Sequence, residues 1–166
     1  SDGENMTLSP FVQGVGTKAL NSITAVPGLG VFFLADDGVY ALSGGLVGGA
    51  ELSVKKISVP IMKTIKRANA SSLSRATAAY SSKWREWHCY FAADGEEKPS
   101  LGIVFHLDNG SWSTREGFPV GNIVSDKDGS LVFGNHTGRP TPRVEGEQHE
   151  SGLFVITRKP HAGHTI

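Results

Sequence analysis

Apolar residues along this chain fall into short runs, and most runs close at a glycine-containing turn. From Val31 to Ala35 every position is apolar: Val31, Phe33 and Ala35 point to one side of an extended chain, Phe32 and Leu34 to the other. That pattern predicts a strand covered on both faces. Asp36-Asp37-Gly38 interrupts the run and Val39 to Leu42 resumes it, predicting a hairpin whose bend uses the positive φ that Asp-Gly supplies. The scheme recurs around Gly95, Gly110 and Gly129, which lie 15 and 19 residues apart, the spacing of consecutive short antiparallel strands. "WHCYFAAD" leads into the first of these turns. Ile103, Phe105 and Leu107 share a face before the second, with Trp112 after it, and "NIVSDKDGSLVFG" repeats the pattern around the third. "ATAAYSS" and "GLFVITRK" read as further strands. One stretch breaks the rhythm. Pro60 suits a first helical turn, and Ile61, Ile65 and Ala68 follow at helical spacing, predicting a short helix from about Pro60 to Ala68. The expected class is mostly β, a meander of antiparallel hairpins with one short helix.

Composition narrows the function. The 21 glycines in 166 residues fit frequent tight turns. Cys89 is the single cysteine, so neither an internal disulfide nor a thiolate metal cluster can form. No apolar stretch approaches the ~20 residues a membrane helix needs, so no membrane insertion is expected. The opening "SDGENMTLSP" does not read as a signal peptide. It lacks an initiator Met, which reads as a processed chain or one cut from something longer. Acids and bases balance at 16 each, but unevenly: eight bases lie between Leu52 and Arg85 with no acid among them. Lys55, Lys56, Lys63, Lys66, Arg67 and Arg75 are therefore candidates to face nucleic acid or a neighbouring subunit. The alternative is a solvated face.

The motifs that carry chemistry elsewhere fail here on context. Gly14-x-Gly16-x-x-Ala19, with Asp36 20 residues after Gly16, has the spacing of a dinucleotide fingerprint. The strand carrying Asp36 turns straight back, however, whereas the fingerprint needs a parallel β-α-β unit. Asp126 to Gly129 lacks the further oxygen ligands and terminal Glu of a calcium loop. His161 and His164 have no carboxylate at helical spacing, and His106, sharing a strand face with Val104, reads as structural. No nucleophile elbow appears, and Cys89 reads as a buried inert thiol. Trp84, Trp87 and Trp112, with Tyr80, Tyr90 and Phe91, either fill space between stacked sheets or form a platform for sugar. No cofactor, metal or catalytic residue is assigned, and no enzyme activity is expected.

One order of features carries a resemblance. A "vGT-A-nSI" segment leads to "VFFLADDGVYALSGG", then the link "ISVPIMKTI", then "ATAAYSSKWREWHCYFAADG" and "LGIVFHLDNGSWSTREGF". From about Gly14 to Gly138 this resembles the β-propeller blades of phage tail proteins of the nozzle, tail tubular protein B or packaged-DNA stabilisation kind. The resemblance implies propeller-like blades over residues 14–138, an N-terminal extension over 1–13, and a loop, last strand and tail over 139–166. It also implies a structural virion protein, assembled in the host cytoplasm and acting by assembly and DNA retention. Its partners would be copies of itself in a ring, other tail proteins, and double-stranded DNA passing through a channel. A closed propeller needs at least four blades of about 40 residues, and the strands here make two to three. The expectation is a fragment, one piece of a larger assembly, or a reduced relative whose sheet edges neighbours cover. The alternative function is a glycan-binding or glycan-cleaving propeller module, which needs exposed aromatics and two carboxylates about 5–10 Å apart in one cleft.

Overall fold

The computed structural model describes residues 15–44, 52–135 and 153–156, and in it the short apolar runs become strands. Eleven of them form three antiparallel sheets. The first sheet is a four-stranded meander: β1 (Thr24–Val26), β2 (Gly30–Ala35), β3 (Gly38–Ser43) and β4 (Ser53–Lys56). The second repeats it with β5 (Thr77–Ser81), β6 (Glu86–Phe91), β7 (Leu101–His106) and β8 (Ser111–Glu116). The third has β9 (Val120–Ser125) and β10 (Leu131–Asn135), with β11 (Leu153–Val155) on the far side of β10. The sheets stack in chain order, and the first strand of each lies beside the first strand of the next: β1 touches β5 and β5 touches β9. The mostly β, blade-like expectation holds. The extension over residues 1–13 and, apart from residues 153–156, the C-terminal segment over 139–166 lie outside the described residues, as do His136, His149, His161 and His164.

Two local expectations are corrected. The register pairs Ala35 with Gly38, so the β2–β3 loop is Asp36-Asp37 alone and Gly38 opens β3. Both aspartates keep negative φ, since Arg85 is the single described non-glycine residue with positive φ. Gly38 itself has φ 155°, and a Cβ there would stand 2.6 Å from Ser58 Oγ, the atom that accepts a 2.9 Å hydrogen bond from Val39 N. Glycine is needed for close approach as well as for the turn. The helix is also shorter than its periodicity implied. A 3-10 turn (Val59–Ile61) runs into one α turn, α1 (Met62–Ile65). The chain then leaves the helical path because residues 67–69 zip against 92–94: Asp94 N donates to Arg67 O, Ala68 bridges Ala93, and Asn69 N donates to Ala92 O. A helix of so few residues has no cooperative reserve with which to resist that capture.

The core divides at the second sheet. Phe32, Leu34, Val39 and Ala41 from the first sheet pack on Trp87, Cys89, Phe91 and Ile103, with Phe32 edge-on to Trp87 at 5.7 Å between ring centroids. The opposite face of the second sheet meets Val120, Ile123, Leu131 and Phe133 through Ala79 and Tyr90. Thr77 Oγ1 adds a hydrogen bond to Asn122 Oδ1 (2.7 Å) and Ser81 Oγ one to Gly129 O (2.7 Å). Two-faced burial explains why all six residues of β6 are buried.

Candidate functional site

The basic stretch is drawn into ion pairs that strand order creates. Lys56 Nζ lies 2.5 Å from Asp37, Arg67 2.6 Å from Glu116, Arg75 3.9 Å from Glu97, Lys83 3.6 Å from Asp128 and Arg85 2.6 Å from Asp108. The Lys56 ammonium, and after it the Tyr40 hydroxyl, hold the Asp37 carboxyl below the usual range. Lys55, Lys63 and Lys66 are exposed and have no acid within ion-pair distance among the described residues. Of the six candidates, then, Lys56, Arg67 and Arg75 are neutralised locally and three lysines are left to present net charge. A cavity of about 210 Å³ opens beside Arg67 and Glu116, bordered by Ala93, Glu96 and Ser100, and these two charges already face each other there.

A second feature is the outward face of the first sheet. Register places Val31, Leu42 and Val54 in one cross-strand row and Phe33, Tyr40 and Lys56 in the next. All six are half-buried, and the Phe33 and Tyr40 rings stack at 5.9 Å with 17° between their planes. The aromatics named as a sugar platform are placed otherwise. Trp87 and Tyr90 are fully buried, Trp112 packs at 4.9 Å from Phe105 within the first core, and Trp84 lies half-buried against the second.

The third feature was not singled out from the sequence. Glu86, His88 and Tyr90 occupy alternate positions of β6, so the pleat turns all three toward the third sheet, with exposures of 1%, 0% and 0%. Register sets Glu86 opposite His106, and His88 opposite Val104, which in turn faces Ser113. Glu86 Oε2 lies 3.0 Å from His88 Nε2, and Oε1 lies 2.8 Å from His106 Nδ1. On its far side, His106 Nε2 stands 2.9 Å from Ser113 Oγ. Arg115, two residues along β8 on the same face, keeps a buried Nε with no hydrogen-bond partner among the described residues. Burial first, then Arg115 and His106, pushes the His88 imidazole down to about 3. Burial, then Arg115, lowers His106 as well. Burial raises the Tyr90 phenol to about 12, and it also raises the Cys89 thiol on the opposite face. Both imidazoles are therefore neutral near pH 7. As a carboxylate, Glu86 would only accept, which would draw hydrogens onto the nitrogens facing it and leave His106 Nε2 to accept from the Ser113 hydroxyl. The signal available in the sequence was the i, i+2, i+4 spacing of Glu86, His88 and Tyr90 inside an otherwise apolar strand.

Among the described residues, no group of three or more His, Cys, Asp or Glu side chains has metal-holding geometry, and no helix is long and apolar enough to cross a membrane. Scans against protein families, curated proteins and solved structures gave no match.

Proposed function

We propose that this chain is a structural virion protein of the phage tail nozzle or tubular kind, working by assembly and DNA retention. The observation that carries the reading is the outward face of the first sheet. Inside the chain, blade-like sheets are held together by burying one apolar face on the next, as Phe32 and Leu34 do against Trp87 and Ile103. The row of Val31, Phe33, Tyr40, Leu42 and Val54 has the same chemistry and is left half-buried, which suits a neighbouring blade supplied by a larger assembly. The sequence resemblance to tail proteins supports the kind of assembly. Lys55, Lys63 and Lys66 are the cations left to meet phosphate, each weakly, so DNA contact would become appreciable only when a ring presents many copies.

The test compares unmodified particles with two variants. Phe33→Glu with Leu42→Glu should abolish incorporation into tails while the chain alone keeps its β-rich circular dichroism. Lys55→Glu with Lys63→Glu and Lys66→Glu should leave assembly intact and lower DNA retention. If the face variant enters tails normally, the assembly reading fails. If retention is unchanged in the lysine variant, the DNA role fails.

A further inference from the structure

We infer that Ser113, His106 and Glu86 form an acyl-transfer relay able to hydrolyse esters. The inference rests on the order of contacts. Ser113 Oγ is 2.9 Å from His106 Nε2, and His106 Nδ1 is 2.8 Å from Glu86 Oε1. That is the order of contacts of a serine–imidazole–carboxylate relay, with the Ser113–His106 link a hydrogen bond and the His106–Glu86 link an approach at ion-pair distance. The three groups come from three adjacent strands, β8, β7 and β6, held by continuous antiparallel pairing, so their relative placement is set by the sheet. Glu86 is positioned in turn by His88, whose Nε2 contacts its second oxygen at 3.0 Å.

Burial is graded as the chemistry requires. Glu86 is 1% exposed, whereas His106, at 23%, and Ser113, on the outermost strand of the sheet, are both half-buried, so the imidazole and the hydroxyl are the members that solvent reaches. Arg115 lies on the same face as Ser113 with its guanidinium 6.0 Å from the centre of the Phe118 ring, and it would have to swing from there to serve a developing oxyanion. A single flexible side chain is a weaker oxyanion donor than a pair of fixed backbone N–H groups. The relay therefore suits a carbonyl with a competent leaving group, an ester in preference to an amide.

In the first step Ser113 Oγ bonds to the ester carbonyl carbon as its proton passes to His106 Nε2. The tetrahedral intermediate then collapses, the bond to the alkoxy oxygen breaks, and the alcohol departs with that proton. In the second step water gives a proton to His106 Nε2 and attacks acyl-Ser113. The carboxylic acid leaves, and Ser113 Oγ recovers the proton.

The test uses the full chain with a fluorophosphonate probe and with p-nitrophenyl acetate. The expected result is one covalent adduct that peptide mass spectrometry maps to Ser113, absent from heat-unfolded protein and from Ser113→Ala. Ester turnover should fall at least ten-fold in Ser113→Ala, and in Glu86→Gln it should fall with kcat changing more than KM. Ser113→Cys, which keeps a nucleophile at the same site, should retain acylation by the ester. Folding of every variant is checked by circular dichroism. An unlabelled folded protein, a label on another residue, or turnover undiminished in Ser113→Ala overturns the inference.

Discussion

The two faces of the second sheet are built from the same four strands and hold by opposite means. Toward the first sheet, Trp87, Cys89, Phe91, Ile103 and Phe105 form an apolar surface that asks only for volume and shape. Toward the third, Glu86, His88, Tyr90, His106, Ser113 and Arg115 are polar, and several are as deeply buried as the tryptophan behind them. Because strand side chains alternate, one stretch of chain writes both surfaces, and a single register slip would exchange them. The polar face depends on the pairs that are matched, His88 with Glu86 and His106 with Ser113, so its sensitivity is to connectivity and pH. The apolar face is sensitive to lost volume.

That contrast can be broken most forcibly on the apolar side. Trp87→Ala should cost about 3–5 kcal/mol, a large share of the roughly 5–15 kcal/mol that holds a domain together. Urea unfolding would show the loss as a lower midpoint. The polar side should answer to acid instead. His88 titrates lower in the fold than its ordinary 6.5, so the unfolded chain takes up the proton first. Stability should be complete above about pH 6.5 and decline as pH falls toward 3. In His88→Gln, which keeps a donor toward Glu86 without titrating, melting temperatures over that range should fall less steeply, with His106, and at the acid end Asp37 and Asp128, supplying the remaining slope. The smallest effect sharpens the rule that matching governs this face. Tyr90 buries a hydroxyl that has no hydrogen-bond partner among the described residues. Tyr90→Phe should therefore leave the melting temperature unchanged or raise it, within about 1 kcal/mol. A large loss would show that the phenol is matched after all.

The sheets were legible wherever alternation met a turn glycine. Gly110 and Gly129 adopt φ of 66° and 81°, and the β7–β8 and β9–β10 hairpins lie where the pattern placed them. β1 and β4 were not, since Thr24–Val26 and Ser53–Lys56 are too short to show a period and owe their conformation to pairing with β2 and β3. The charge run misled for a related reason. Arg67 meets Glu116 and Lys83 meets Asp128 across tens of residues, so the acids that neutralise the run are absent from any local window. The Glu86–His88 pair was visible as polar positions in an apolar strand. That its face would be covered depends on the third sheet, a non-local fact that no pattern within β6 encodes.

Cys89 sits at the centre of the apolar face, fully buried, and it is the only thiol in the chain. A thiol-reactive reagent can reach it only after the first sheet lifts away, so the modification rate of the untouched protein meters that excursion. The protein thus carries its own stopwatch for opening, read at one sulfur, with no engineered label to disturb the packing it reports.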